Sequence, residues 1–219
     1  SAAVGYLAPG IRLRKNLTIA TETQVSELLF ESKRCIGVRV LVAGKKRTFL
    51  GNQIILSSGA IHSPAHLLRA GIGPAMQLND LGISVRENLA GVGQRLMDHP
   101  SIAVASYLKL HARLNDFSRR HILMGLRYSS HIEEAPMGDM FVAAVGKSAW
   151  HAVGDCIGSL ILFVNKTYSE SGQVRLASAN WRDEPKVDFS LLSDKRDLDR
   201  LMGGFKMLAR LHEDPAMQA

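Results

Sequence analysis

The passage from Gln53 to Gly73, QIILSSGAIHSPAHLLRAGIG, constrains the fold more than any other part of the chain. It opens with a non-alternating apolar run, Gln53–Leu56, which is typical of a strand covered on both faces. Ser63 then predicts a helix N-cap, Pro64 suits the first helical position, and Gly71 marks the helix end. A strand that leads into a helix in this way creates a helix start that favours an anion.

A small antiparallel meander is predicted ahead of this passage. Two segments rich in β-branched and bulky residues, Val25–Phe30 and Ile36–Val42, are joined by a turn at Ser32–Arg34. Arg47–Leu50 returns after the next turn as a third strand. Leu17–Ala20 alternates apolar and polar residues and predicts one further short strand.

The second part of the chain predicts more strands and a closing helix. The spacing of apolar residues indicates a helix over Asp116–Ser129 and a longer amphipathic helix from Asp194 to about Leu211, which Gly203 and Gly204 weaken. Ser193 or Asp194 is predicted to cap this second helix. Pattern and charge balance change near Asp98–Pro100, so we divide the chain into residues 1–99 and 100–219 and expect an α+β fold. The predicted strands of the second part are Ile102–Leu108, Met140–Val145, Ser159–Val164 and Gln173–Leu176.

Charge and hydropathy exclude several classes of protein. Residues 1–95 hold twelve Lys and Arg against five Asp and Glu, whereas residues 96–219 hold fifteen of each sign. The basic residues are scattered and lack the interleaved aromatics of a nucleic-acid binder, so a solvated basic face is the interpretation we adopt.

The longest apolar run, Cys156–Val164, is too short to span a membrane. Cys35 and Cys156 have no metal-ligand spacing, and we expect two free thiols.

Three motifs that could carry chemistry fail on their context. His62 and His66 have the spacing of two metal ligands on a helix, but the pair straddles the predicted helix start, so no metal site is expected. Gly154–Gly158 imitates a nucleophile elbow with Cys156, yet the apolar strand follows the motif instead of preceding it. The dinucleotide fingerprint GxGxxG does not occur in the 219 residues.

A resemblance to a known family adds to this interpretation. The segment Gly59–Gly73 resembles the second signature of the glucose–methanol–choline (GMC) oxidoreductases, which are flavoenzymes that oxidise alcohols. The flanking segments NLTIATETQVSELLF and GVGQRLMDHP agree, as do the later segments VGKSAWH, SGQVRLAS and LSDKRDLDRLMGG. Two positions depart from the family pattern: Ala70 stands where Ser is usual, and Arg95 where Asn is usual.

The resemblance implies an incomplete FAD-binding, Rossmann-like domain over residues 1–99. A substrate-binding domain, with an antiparallel sheet flanked by helices and truncated at its C-terminal end, would follow over residues 100–219. By analogy with the family, the backbone of Val25 would contact the FAD adenine, and Ser58 and Gly59 would lie beside the cofactor. No catalytic residue is assigned, because the family's active-site histidine lies in a segment this chain lacks. His99 is expected to be structural, supported by Asp98.

We therefore interpret the chain as a fragment of an FAD-dependent, choline or alcohol dehydrogenase-like enzyme that transfers hydride from a small alcohol to flavin. The fragment itself is expected to be inactive and not to retain FAD on its own. The alternative is a non-catalytic binding or structural module that keeps the same scaffold. We expect a cytoplasmic location. We also expect that the unpaired edge of Gln53–Leu56 leads either to self-association into a homo-oligomer or to a disordered first part.

Overall fold

The protein divides into two compact units in a computed structural model, which describes residues 2–114, 122–147 and 154–218. The first unit comprises the residues up to Gly93 together with Arg175–Lys186, and the second comprises Gln94–Val174 and the residues from Val187 onwards. The sequence-based division at residue 99 differs from these units at residues 94–99 and in the segment Arg175–Lys186. No local pattern marks the return of the chain to the first unit. Helices and mainly antiparallel sheets make this an α+β protein.

A three-stranded antiparallel meander forms the sheet of the first unit. Its strands are β1 (Thr23–Glu31), β2 (Arg34–Val42) and β3 (Lys45–Leu50), in the order β1-β2-β3. Leu28, Gly37 and Val40 are the buried residues of this sheet, whereas every residue of β3 is exposed. The predicted meander and its tight turns are confirmed.

The helix of the Gln53–Gly73 passage begins earlier than predicted. It spans Gly59–Arg69 (α3) and includes Ser63 and Pro64, so Ser63 is not its N-cap. The hydroxyl of Ser63 instead accepts a hydrogen bond from the backbone amide of Ser58 at 3.0 Å, which satisfies a donor just before the first turn. The predicted stop is confirmed, since α3 ends at Arg69 and Gly71 has a φ of +80°.

The remaining elements of the first unit are short. A core forms where α3 packs on the next helix, and its buried members are Ala65, Leu68, Leu78 and Leu176. The last of these comes from the returning segment Arg175–Lys186. The short elements are α1 (Ala2–Tyr6), α2 (Pro9–Arg12), β4 (Ile72–Gly73), α4 (Ala75–Asp80) and β5 (Glu87–Asn88), with β4 and β5 paired in parallel.

Two predicted strands of the first unit do not form. Leu17–Ala20 and Gln53–Leu56 are both irregular, and Ile55 is 77% exposed. A strand needs a neighbour for its backbone amides and carbonyls, and the described residues provide none for either segment. The sequence of Gln53–Leu56 is apolar without alternation, but the prediction that it forms a strand covered on both faces is wrong for this structure.

A four-stranded antiparallel sheet dominates the second unit. Its strands are β7 (Ser101–Tyr107), β8 (Ile122–Tyr128), β9 (Met140–Val145) and β10 (Ile157–Val164), in the order β7-β10-β9-β8. Two helices follow it along the chain, α5 (Lys195–Glu213) and α6 (Pro215–Gln218). None of the helices in the described ranges is long and apolar enough to cross a bilayer. A smaller sheet contains β6 (Gln94–Leu96), β11 (Gly172–Arg175) and β12 (Lys186–Asp188).

The helix predicted over Asp116–Ser129 is wrong in its second half. Ile122–Tyr128 is the edge strand β8, paired with β9, while residues 115–121 lie outside the described residues. The ladder shifts register between Ile122 and Met124, which is a β-bulge. The extra residue breaks the period of two, and the remaining apolar spacing then imitates a helix. The segment VGKSAWH, which resembles the family, lies partly within residues 148–153, outside the described residues.

The closing helix α5 covers one face of the four-stranded sheet. The Asp194 side chain caps it by accepting a hydrogen bond from the Arg196 amide at 2.9 Å, as predicted. Leu201 and Leu208 enter the core, together with Met140, Val142, Leu162 and Val164 of the sheet. The helix also buries Asp197 and Arg200, which the apolar pattern did not predict.

Candidate cofactor-binding site

A cleft of about 400 Å³ opens in the first unit between β1, α3 and the returning segment. Two of the three residues that the sequence assigned to FAD, Val25 and Ser58, line it; Gly59 is the next residue along the chain. The structure therefore brings the predicted residues together. The full lining comprises Thr23, Gln24, Val25, Ser58, His62, His66, Arg69, Trp181, Arg182, Asp183 and Glu184.

Val25 lies where the β1–β2 ladder is irregular. It pairs with Val40, but the next registered pair is Glu27 with Arg39, so Ser26 is the extra residue of a bulge. The Ser26 hydroxyl donates a hydrogen bond to the Arg39 carbonyl at 3.1 Å and fixes this local geometry. Because a bulge bends and twists its strand, it sets the direction of the backbone at the cleft.

Gly59 shapes the start of α3 beside the cleft. Its φ of +82° lies in the left-handed region, which side chains with a Cβ rarely adopt. No described atom lies within 4 Å of the position that a Cβ would take, so the backbone here borders open space. Close approach of a ligand to the backbone is one reason for a glycine at a cofactor site, and the backbone conformation of Gly59 is a second, independent reason.

Arg69 carries a polar atom that the protein leaves without a partner. Its Nη2 donates to the carbonyl of Asp183 at 2.9 Å, which ties α3 to a segment 114 residues away. Its Nε is buried, with no hydrogen-bond partner in the described part of the chain. A buried guanidinium N–H without an acceptor is costly, so this cleft is suited to a ligand that offers one. No local signal in the sequence singled out Arg69.

The loop opposite α3 is held in shape by its own polar groups. The Asp183 carboxylate accepts hydrogen bonds from the Ser178 hydroxyl at 2.5 Å and from the Asn180 side-chain amide at 3.1 Å. The Arg182 guanidinium lies 4.7 Å above the centre of the Trp181 ring. A preformed loop presents an aromatic ring and a cation to the cleft without further ordering.

His62 and His66 lie on the cleft side of α3. His62 Nε2 is 3.8 Å from the Glu184 carboxylate. Partial burial lowers the pKa of His66, and the charges of Arg69 and His62 lower it further. Within the described ranges, His, Cys, Asp and Glu form no group of three or more that could hold a metal ion.

The donors of this cleft suit part of a dinucleotide. A bulged strand exposes backbone, Gly59 borders open space, and Arg69 offers an unpaired N–H to a phosphate or ribose oxygen. Trp181 adds an aromatic surface. These groups bind and orient a ligand; they do not form a nucleophile and base pair.

His99 and Cys156, which sequence motifs had brought into question, have structural surroundings. The His99 amide donates to the Asp98 carboxylate at 2.8 Å, and its ring Nδ1 lies 2.9 Å from the Val164 carbonyl. Both contacts are of the kind expected for a structural histidine, and the structural role of His99 stays a prediction. Gly154–Cys156 is a short 3-10 turn ahead of β10, so the strand follows the turn and no elbow forms.

Comparison with known proteins now identifies the family. The family model for GMC oxidoreductases matches residues 1–101. A 5-(hydroxymethyl)furfural oxidase from Methylovorus sp. (strain MP688) is 38% identical over 224 residues, which cover 99% of this chain and 40% of that protein. The chain belongs to the GMC oxidoreductase family. It spans less than half the length of the curated GMC relative it matches here.

Solved structures agree on the GMC fold. Pyridoxine 4-oxidase from Mesorbium loti superposes with a TM-score of 0.83 at 23% identity, covering 98% of this chain and 43% of that one. An Aspergillus oryzae RIB40 formate oxidase, studied for its FAD modification, gives a TM-score of 0.81 at 20% identity over 95% of this chain and 46% of that one. At these identities the likeness concerns the fold.

The two departures from the GMC pattern have different consequences. Ala70 is the C-cap of α3, and its backbone amide donates to carbonyls of the last turn, so a serine hydroxyl is not needed there. Arg95 has a φ of +55°, a conformation that asparagine adopts more readily than arginine. Arg95 also forms an ion pair with Glu170 at 2.6 Å, in which both side chains are half exposed.

Proposed function

We propose that this chain is part of an FAD-dependent GMC oxidoreductase that oxidises the CH–OH group of a small alcohol. Its first unit would be part of the FAD-binding domain, and the cleft at Val25, Ser58 and Arg69 would hold part of the cofactor. The observation that carries this proposal is the buried, unpartnered Nε of Arg69 in a cleft lined by Val25 and Ser58, two residues that the family resemblance independently assigned to FAD.

The chain's own residues would bind and orient the cofactor. The bulged backbone at Val25 would face the adenine, while the open space at Gly59 would allow the cofactor to approach the start of α3 closely. Arg69 Nε would donate a hydrogen bond to a phosphate or ribose oxygen. FAD, when bound, supplies the acceptor for a hydride from the alcohol carbon. The antiparallel sheet of the second unit would be the substrate domain.

Binding of adenine nucleotides to the 219-residue chain tests this proposal. ADP carries the adenine and pyrophosphate of FAD, whereas FMN carries the flavin and a single phosphate. We expect ADP at millimolar concentration to shift the backbone amide NMR signals of Val25, Gly59 and Arg69, and FMN to leave them unchanged. We do not expect the chain to retain FAD through gel filtration, because its sequence contains no GxGxxG.

Variants separate the cleft from general electrostatics. Arg69→Met should weaken ADP binding about ten-fold, as expected for the loss of a charge-assisted hydrogen bond. Arg12→Met is the matched control. The guanidinium of Arg12, like that of Arg69, donates to a backbone carbonyl, in this case from Nε to Leu7 at 2.7 Å, but Arg12 lies outside the cleft. Equal weakening by both variants, or identical shifts with ADP and FMN, would contradict the proposal.

We also propose a cytoplasmic location and self-association. Cys35 and Cys156 are both free and partly buried, as expected in a reducing compartment. Ile55, which is 77% exposed within an apolar segment, is suited to contact a second copy. Light scattering tests this assembly: Ile55→Asp should shift the chain from oligomer to monomer. A monodisperse wild-type monomer would overturn the idea.

A further inference from the structure

A second cavity, of about 460 Å³, lies wholly within the second unit. It shares no lining residue with the candidate cofactor-binding cleft. One wall is the segment from Tyr128 to Ile132 at the end of β8, and the other is the face of α5 that carries Gly203, Gly204 and Met207. The volume falls in the range of small-molecule sites in proteins.

Two neighbouring glycines in α5 lack side chains for different reasons. At Gly204 a Cβ would lie 2.5 Å from Leu162 Cδ2 and 2.7 Å from the Tyr128 hydroxyl, so packing of α5 on the sheet excludes any side chain. At Gly203 nothing in the described residues lies within 4 Å of the Cβ position. Glycine in a helix interior lowers stability, and packing does not account for it at Gly203. It leaves helix backbone open to the cavity.

The hydroxyl of Tyr128, a lining residue of the same cavity, is the next relevant group. It is buried and has no hydrogen-bond partner in the described part of the chain. Burial raises the pKa of Tyr128, and the negative charge of Asp139 raises it further, so the hydroxyl keeps its proton at neutral pH. A protonated phenol without a partner is a hydrogen-bond donor awaiting an acceptor.

The charged groups at the cavity are already paired. Arg200 binds the carboxylates of Asp139 and Asp197, and Asp199 forms an ion pair with Lys195. The Ser129 hydroxyl accepts a hydrogen bond from the Gly138 amide, the Ser130 hydroxyl donates to Asp139, and His131 also lines the cavity. The lining therefore offers mainly apolar surface, and the Tyr128 hydroxyl is its buried donor without a partner in the described residues. Such a lining favours an uncharged molecule.

We propose that this cavity is a binding site for a small, uncharged, ring-sized organic molecule with one carbonyl or ether oxygen. The oxygen accepts the hydrogen bond of the Tyr128 hydroxyl, and the apolar body lies against the backbone at Gly203 and the Met207 side chain. This site is separate from the proposed cofactor cleft, so it does not depend on the proposed function.

Acetophenone and ethylbenzene are the probes, because they share size and ring but only acetophenone has an acceptor oxygen. Titration of the full chain, followed by amide NMR, should shift the signals of Gly203, Gly204 and Ile132 with acetophenone. Ethylbenzene should bind about five-fold more weakly, and Tyr128→Phe should weaken acetophenone to the same level, as expected for one hydrogen bond.

Filling the cavity provides the second test. Gly203→Leu should abolish the acetophenone shifts while the thermal midpoint is kept, because leucine favours helix and meets no described atom there. Gly10→Leu is the matched control, since Gly10 also lies in a helix with open space at its Cβ position, but in the first unit. Unchanged binding in Gly203→Leu would overturn the proposal. Absence of acetophenone binding to the wild-type chain would overturn it as well.

Discussion

The guanidinium of Arg200 lies 3.2 Å from the carboxylate of Asp139, and both side chains are fully shielded from solvent. A second carboxylate, Asp197, binds the same guanidinium from within α5. The hydroxyls of Thr167 and Ser169 and the Ser169 amide donate to Asp197, so every charge of this buried cluster has partners. This cluster connects α5 to two loops of the second unit and carries charge into a core that is otherwise apolar.

Removing one carboxylate of this cluster should be strongly destabilising. Asp139→Ala leaves the positive charge of Arg200 short of a partner, and we expect a loss of about 3–5 kcal/mol in the free energy of unfolding. Glu134→Ala is the control, because Glu134 pairs with Arg196 at 3.1 Å on an exposed surface, where a pair contributes about 0–1 kcal/mol. Urea denaturation measures both. Equal losses would show that burial of the Asp139 pair has no energetic consequence.

Stability should fall in acid through the carboxylates of the second unit. The side-chain hydrogen bond from Arg196 lowers the pKa of Asp194 to about 2. Burial alone would raise the pKa of Asp139, but hydrogen bonds from Ser130 and Arg200 outweigh it and lower the value. Unfolded aspartates take up protons near pH 3.9, before the folded ones do. The stabilisation is therefore present above about pH 3.9 and is lost as the pH falls through the lowered folded pKa.

Thermal midpoints between neutral pH and pH 2 test this prediction. Asp194→Asn should flatten the acid slope while the helix start is kept, because asparagine caps helices as well as aspartate does. Asp80→Asn, at an exposed position at the end of α4, should leave the slope unchanged. A slope that is the same in all three proteins would rule out this role for Asp194.

The first unit should lose stability in a different pH window. Burial lowers the pKa of His66, with additional effects from Arg69 and His62, so the folded state binds a proton less readily than the unfolded chain. As the pH falls from about 6.5 through the folded pKa, the unfolded state gains protons first and stability decreases. His66→Gln should remove this decrease, and His111→Gln, at an exposed position, should not. NMR titration of the His66 ring is the direct measurement.

Alanine at the two adjacent glycines of α5 should have opposite effects. Gly203→Ala should raise the free energy of unfolding by about 1 kcal/mol, since it removes helix-interior glycine without a contact. Gly204→Ala should lower it by about 1–3 kcal/mol, because its Cβ would overlap Leu162 and the Tyr128 hydroxyl. Thermal melts of the two variants provide their own control. Two changes of the same sign would contradict the packing described for α5.

Local patterns predicted much of the fold because their physical causes are local. The turn after Phe30, the stop at Gly71 and the Asp194 cap each depend on residues within a few positions of one another. The sequence of β8 predicts a helix instead of a strand, because a bulge near Leu123 removes the alternation on which the prediction of a strand depends.

The candidate site was only half predictable. Val25 and Ser58 were reached through the family resemblance, and both line the cleft. Arg69 and Trp181 come together from positions far apart in the chain, so no spacing rule connects them. The charged cluster could not be predicted for a related reason. The sequence pattern of α5 indicates a surface position for Arg200, and only the fold brings Asp139, from the loop before β9, next to it.

The position of Leu176 has a consequence for the order in which the chain is made. This residue completes a core whose other buried members, Ala65, Leu68 and Leu78, are synthesised about a hundred residues earlier. A nascent chain that has reached Gly93 therefore still exposes part of that apolar surface, in contrast to the usual case in which an N-terminal domain closes first. During translation the first unit must wait for most of the second, which lengthens the interval in which it depends on protection from aggregation.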